Sequence, residues 1–299
     1  MSNQTQTGKV VPGRYLARTK PATRRFSGRL PSGFVWVLPL LLLVGLVFNL
    51  PLLMTAASSL VDQKTGAFTL GNFEQVAASK VYLPVVWRTI RIALVVSFAC
   101  ALIGYPLAYW MTRLSRRGQT VALAIIVTSF WVSILVRTYA WIVILGNSGI
   151  VNRFLMASGL TETPVEFLYN ELGVAIGMIN VLLPFMLLPL FAAMLQVDPR
   201  LRQIAFTMGA SSFQFFWRVF FPLTLPALGA TFILISILSL GFYITPAILG
   251  GGKVPLIANM LDILINQFPR WNLAAAISLV LLVLTVGLFV VYQHLRRVE

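Results

Sequence analysis

The chain has 299 residues, 58% of them hydrophobic and only 10% charged, with a mean hydropathy of +0.86. That excludes an ordinary soluble enzyme and indicates a protein that crosses a membrane several times. A net charge of +15 would suit nucleic acid, but the basic residues lie in tails and short loops between apolar runs, which is the pattern of a membrane topology.

Residues 1–32 carry Lys9, Arg14, Arg18, Lys20, Arg24, Arg25 and Arg29, no acid, and scattered Pro and Gly, and read as a basic cytoplasmic tail. The apolar run that follows is too long for a signal peptide and no small-x-small site closes it. The tail orients the chain, and its charge also suits anionic membrane lipid, at roughly 1 kcal/mol per basic residue near the surface.

Six apolar runs are each long enough to cross roughly 30 Å of hydrocarbon as a helix. They fall at about 34–56, 87–111, 120–145, 173–196, 223–249 and 272–293. The implied organisation is a first transmembrane helix at 33–57, a periplasmic loop at 58–84, five helices within 85–294 and a short C-terminus at 295–299. One set of connections and ends holds fifteen Lys or Arg against Asp198 and Glu299. The alternate loops hold Lys64, Lys80, Arg153, Lys253 and Arg270 against Asp62, Glu74, Glu162, Glu166, Glu171 and Asp262. The positive-inside rule therefore predicts that both termini and the 198–222 segment are cytoplasmic.

Three basic residues stand near or inside spans. Arg88 and Arg91 open the second run and are expected to snorkel to the outer interface. Arg137 lies within SFWVSILVRTYAWIVIL, where an unpaired charge costs at least ~2.5 kcal/mol on insertion scales. It is expected to face a wet cavity or to pair with Glu162, Glu166 or Glu171, so a substrate-path role and a structural pair are both open. Gly104 with Pro106, Pro184 with Pro189, and Gly241 with Pro246 mark kinks or close packing. The stretch Val254–Phe268 after Gly250, Gly251 and Gly252 is too short for a seventh span.

No site for chemistry stands out. Cys100 sits alone in an apolar run, so disulfides and cysteine metal sites are excluded, and His294, the single histidine, reads as an interfacial residue. No Gly-x-x-x-x-Gly-Lys-Ser/Thr loop is present to hold ATP, and no cofactor or metal is implied. No acid lies deep in a proposed span, which argues against an ion-coupled secondary carrier, although backbone carbonyls can also bind sodium. A membrane-embedded enzyme would need paired carboxylates, a histidine cluster or an activated nucleophile.

The 198–222 segment, DPRLRQIAFTMGASSFQFFWRVFFP, is the one long connection that is both charged and patterned. Asp198 caps a helix with Pro199 in its first turn, and Gly209 breaks it. Ser211 and Gln214 form a capping box that restarts a helix, and Pro222 is expected to end it before the next span. A short helix, a bend and a second helix would then lie against the membrane surface.

This segment resembles the cytoplasmic "EAA" signature of permeases of binding-protein-dependent ABC importers of the type I fold. There a Glu-Ala-Ala triplet precedes a glycine by six positions, and a hydrophobic-x-hydrophobic-Pro group follows ten later. Gln203, Ile204 and Ala205 hold the triplet, Gly209 the glycine, and Val219, Phe220, Phe221 and Pro222 the tail. With Gln for Glu, a charge pair to the ATPase is lost, leaving a hydrogen bond. WRTIRIAL, GYPLAYWM, LVRTYAWIVILGNSGIVN and GFYITPAILGGG extend the likeness over about residues 85–294, toward permeases of the spermidine and putrescine importer group.

The resemblance implies an all-α polytopic membrane protein of six transmembrane helices in the type I ABC importer permease fold, located in the bacterial inner membrane. It implies a non-catalytic subunit that hydrolyses no ATP itself. The partners it implies are an ABC ATPase dimer, a second permease subunit as hetero- or homodimer, and a periplasmic solute-binding protein, with membrane lipid and without nucleic acid. Gln203, Ala205, Gly209, Ala210 and Pro222 would form the ATPase-coupling segment. The aromatics Tyr139, Trp141, Phe242 and Tyr243, with Arg137, are candidates for the translocation path, since aromatic faces suit a polyamine and Arg137 an anionic or zwitterionic solute. An autonomous channel or ion-coupled secondary transporter is the alternative.

Overall fold

The computed structural model describes residues 34–63 and 65–296. The basic tail expected over 1–32, Lys64 and residues 297–299 lie outside the described residues. Among the described residues the regular structure is helical, apart from one isolated bridge between Val61 and Phe68. Six stretches are long and apolar enough to cross a membrane: Pro39–Ser59, Tyr82–Thr112, Ile134–Ala157, Glu171–Leu195, Ser212–Leu240 and Trp271–His294.

Residues 1–50 and 51–299 form two units. What is described of the first is the opening of helix α1 (Phe34–Ser59), where Leu40, Leu41, Leu43, Leu46 and Phe48 are all exposed. A helix with apolar side chains exposed all round is built to face lipid.

The second unit begins with the end of α1 and continues through the short α2 (Gly71–Ala78) to α3 (Tyr82–Thr112). The buried face of α3 runs Thr89, Ile92, Ala93, Val96, Ser97, Cys100, Gly104, Ala108 and Met111, a stripe at three- and four-residue spacing. Much of it is small, which is how helices approach closely where lipid offers no hydrophobic drive for association. Against it packs α7 (Glu171–Leu195), with Val174, Met178, Leu182 and Met186 in one shared core with Ile92, Val96 and Cys100. At Gly104 the fit is tight enough that a Cβ would stand 2.9 Å from Met186 Cγ. Between α3 and α7 in sequence lie α4 (Arg116–Trp131), α5 (Ile134–Leu145) and α6 (Ile150–Ala157).

After α7 come α8 (Pro199–Thr207), α9 (Ser212–Phe215) and α10 (Phe221–Leu240), the last joined to α9 by a π turn over Phe216–Phe220. Three polar contacts fix neighbouring elements to α3. Ser236 Oγ meets Ser97 Oγ at 2.9 Å, Thr224 Oγ1 meets the Tyr105 hydroxyl at 2.7 Å, and the Ile257 amide donates to Thr89 Oγ1 at 3.0 Å. The chain closes with α11 (Ile244–Leu249), α12 (Ile257–Asp262), a second π turn over Ile263–Gln267 and α13 (Trp271–Arg296). As expected, Val254–Phe268 is no span. It folds back so that Ile257, Met260 and Leu264 pack with Leu273, Ala274 and Ile277 of α13.

Three expectations are corrected. The third run is not one helix over 120–145, because it breaks at Val132 and Ser133, both with extended ψ (123° and 137°), leaving α4 and α5 as separate pieces. The fifth run does not begin after Pro222. Ser212–Leu240 is helical throughout, and Pro222 sits in the first turn of α10. Proline there has no N–H for a regular turn, and the wider π turn, closed by the Phe221 amide on the Phe216 carbonyl, delivers the chain to it without a stop. Finally, Arg88 and Arg91 do more than snorkel, since both pair with Glu171, Arg88 Nε at 3.4 Å from Oε1 and Arg91 through Oε2.

Candidate functional site

Helix α8 opens on the Asp198 carboxylate, which accepts the Arg200 amide at 2.8 Å, with Pro199 in the first turn. Its end is fixed by Gly209 at φ +82°. The Ala210 amide reaches the Ala205 carbonyl at 2.9 Å and the Gly209 amide the Phe206 carbonyl at 3.0 Å, together a full Schellman stop. The box follows at once, the Ser211 amide donating to Gln214 Oε1 at 2.9 Å and the Gln214 amide to Ser211 Oγ at 3.2 Å. The Schellman bonds and the capping box thus close the bend from both sides with partners only a few residues away in sequence.

The two faces of α8 differ. Ala205 is half-buried and packs on the core of Tyr105, Met111, Leu190, Phe215 and Phe220, while Ala210 is half-buried as well. Arg202 lies with its guanidinium 5.2 Å over the Phe206 ring. Gln203 is exposed, as is Ile204 at 55%, and beyond the helix end Met208 is 82% and Phe213 72% exposed. The structure thus gathers Gln203, Ala205, Gly209 and Ala210 into one bend with an apolar tip, and Pro222 lies farther along the continuous helix. Sequence reading placed Ile204 in the triplet without counting it among the coupling residues, and missed Met208 and Phe213; the available signal was isoleucine and methionine at helix positions that no hydrophobic stripe required.

A ring cluster connects this bend to α3. Tyr109 lies 4.9 Å from both Phe216 and Phe220, and Tyr105 5.5 Å from Phe221. Beside it opens a cavity of about 860 Å³, lined by Gln196, Asp198, Thr224, Thr231 and Tyr292 among others. A smaller one of about 500 Å³ takes in Arg113, Asp198 and Arg202.

The other candidates lie elsewhere. Arg137 donates to the Ser129 carbonyl and, at 3.2 Å, to that of Val132, so its partners are the free carbonyls at the end of α4 and not Glu162, Glu166 or Glu171. Glu171 serves Arg88 and Arg91 instead. Trp141 and Phe242 are both half-buried against the core of Ile92, Val96, Met178 and Leu249. Tyr139 is exposed at 60%. Tyr243 donates its hydroxyl to Asp262 Oδ2 at 3.2 Å, and its carbonyl accepts Asn259 Nδ2 at 3.1 Å. None of these five lines either cavity. Among the described residues no group of His, Cys, Asp and Glu could hold a metal ion.

Residues 101–298 match the family described as "Binding-protein-dependent transport system inner membrane component". The chain belongs to this family. It is a permease subunit of an ABC importer, a multi-pass protein of the inner membrane with the type I permease fold. The permease is 36% identical over 218 residues to the spermidine/putrescine transport system permease protein PotB of Haemophilus influenzae, covering 72% of this chain and 76% of that one. It is 28% identical over 263 residues to a putative 2-aminoethylphosphonate transport system permease protein, PhnU, of Salmonella typhimurium, covering 87% and 91%. A chain of the bacterial alginate ABC transporter, solved with an alginate pentasaccharide-bound periplasmic protein, superposes with a TM-score of 0.69 over 88% of this permease and 93% of that chain. At 18% identity that likeness carries the fold alone.

Proposed function

We propose that this permease forms half of a passage for a small organic amine and is driven through α8 by a separate ATPase dimer, hydrolysing no ATP itself. In this reading both termini and the 198–222 segment face the cytoplasm, a second permease subunit completes the passage, and a periplasmic protein delivers the solute. The basic tail over 1–32 meets anionic membrane lipid. The observation that carries the docking role is the bend itself: a short helix, locked by a Schellman stop, presenting Gln203 and Ile204 outward at the family's triplet positions and Met208 just before its glycine.

Coupling follows from mechanical continuity. A push on α8 reaches Phe215 through Ala205 and Phe206, whose ring lies 6.2 Å from that of Phe215. From there an unbroken helix runs to Leu240, and the Tyr105–Thr224 bond ties it to α3. ATP shifts the passage only if the ATPase holds α8 differently in its open and closed states. The amine is supported by the relatives, one named for spermidine and putrescine and one for 2-aminoethylphosphonate, compounds that share a primary amino group.

The test is co-purification from mild detergent after expression of the complete transporter: an ATPase is expected to travel with the tagged permease, and to be lost with Ile204→Arg. Ion-driven uptake by vesicles containing this chain alone would overturn the reading in favour of an autonomous carrier. Because Gln203 is exposed and its side chain sits outside the packed face, Gln203→Glu is expected to leave uptake within about twofold, as for an isolated surface change of ~0.5 kcal/mol. A large loss of uptake would show that docking depends on the uncharged amide.

A further inference from the structure

The stretch Val254–Phe268 turns apolar residues to the bundle and leaves Asn259, Asp262 and Asn266 at three- and four-residue spacing, so that one side of a mostly apolar segment is polar. These residues are organised around Tyr243. Asn259 accepts the Leu256 amide at 3.2 Å and gives its own N–H to the Tyr243 carbonyl, which anchors the tyrosine backbone. Asp262 is half-buried and receives Asn266 Nδ2 on Oδ1 at 2.6 Å and the Tyr243 hydroxyl on Oδ2 at 3.2 Å. The π turn Ile263–Gln267 is wound directly after it, closed by the Phe268 amide on the Ile263 carbonyl at 2.9 Å. Such turns are rare and cluster at functional sites.

Among the described residues the carboxylate has no cation within ion-pair distance. Among the described residues both ion pairs fall on Glu171, and Asp262 has only neutral donors. Two neutral hydrogen bonds fix its direction without cancelling its charge, and because both lie at the exposed surface the carboxylate is open to a cation from outside. Beside it Tyr243 is 41% exposed and offers an aromatic ring next to the negative charge, the pairing that favours an ammonium group.

We propose that Asp262, oriented by Tyr243 and Asn266, binds an ammonium group of the transported solute. This rests on the amine reading above and supplies an acid where no proposed span carries one deep in its length. Asp262 receives the cation, Tyr243 both positions the carboxylate and covers the ammonium, and Asn266 holds the second oxygen.

The test is uptake of radiolabelled putrescine and of 2-aminoethylphosphonate by cells carrying the complete transporter, with membrane levels of the permease followed by immunoblot. Asp262→Asn keeps the shape and removes the charge, and uptake is expected to fall about tenfold or more, as for loss of one partner of a hydrogen-bonded charge pair. Asp262→Glu should return it to within about threefold, and Tyr243→Phe should lie between. If Asp262→Asn fails to accumulate, the Glu and Phe variants decide: wild-type uptake in Tyr243→Phe together with none in Asp262→Glu marks a purely structural carboxylate and overturns the proposal. Amine uptake by the wild type that Asp262→Asn leaves unchanged overturns this proposal alone. A wild type that takes up neither compound overturns the amine reading and this proposal with it.

Discussion

Gly209→Val is expected to lower uptake about tenfold while leaving insertion and the bundle intact. Gly209 holds φ +82°, and a Cβ built on it meets nothing within 4 Å, so the substitution creates no clash and its whole effect is conformational. An L-residue in the left-handed region costs about 1–2 kcal/mol, and a β-branched one is a true outlier there. The chain escapes by leaving that region, which breaks the Ala210–Ala205 and Gly209–Phe206 bonds together and releases the end of α8. The exposed side of α8 then no longer points in one direction relative to α9. Retention of the ATPase should fall about tenfold, the equivalent of ~1.4 kcal/mol, and uptake with it. Gly209→Asn is the control: asparagine tolerates left-handed backbone, so most uptake should survive. Full transport by the valine variant would mean that the bend does not orient the docking face.

The capping pattern of this bend was legible because each signal is local. Asp198, Pro199, Gly209, Ser211 and Gln214 act within a few residues of themselves, and the structure has each in its expected bond or backbone region. Five of the six spans were legible for a related reason, since length and hydropathy are properties of a single run. Pro222 was misread because its effect depends on its neighbours. A proline ends a regular helix, but in the first turn of a new one it costs nothing, and the π turn before it is written in no residue type.

The partners of Arg88, Arg91, Arg137 and Asp262 were illegible for the opposite reason. Glu171 is eighty residues from Arg91 and faces it only because α3 and α7 pack side by side. The count of loop acids assigned Glu171 to Arg137 as readily as to any other cation. Asp262 appeared as one more loop acid, and only the fold of Val254–Phe268 brings it to Tyr243, one of the aromatics chosen for the path. Ile204 and Met208 show the same limit, since exposure of an apolar side chain follows from which face of α8 the bundle takes.

The contacts of Arg137 favour a structural role over the substrate-path role that the sequence also left open. The break at Val132 and Ser133 contains neither proline nor glycine, and it strands the last carbonyls of α4, which have no following turn to bond them. Arg137, four residues into α5, returns its guanidinium to Ser129 and Val132 and so satisfies them with a charge that also suits the negative end of a helix. Arg137→Met removes those donors and leaves the carbonyls in an apolar setting, at a cost of about 2 kcal/mol. For a chain of this size that is a fall in Tm on the order of 5 °C, measurable by thermal unfolding of the purified permease in detergent. Arg137→Lys should recover only part of it, because an ammonium cannot span two carbonyls as the planar fork does. Uptake should fall in step with stability across Met, Lys and wild type. An Arg137→Met permease as stable as wild type but unable to transport would instead assign the guanidinium to the solute, and the elbow between α4 and α5 would need another support.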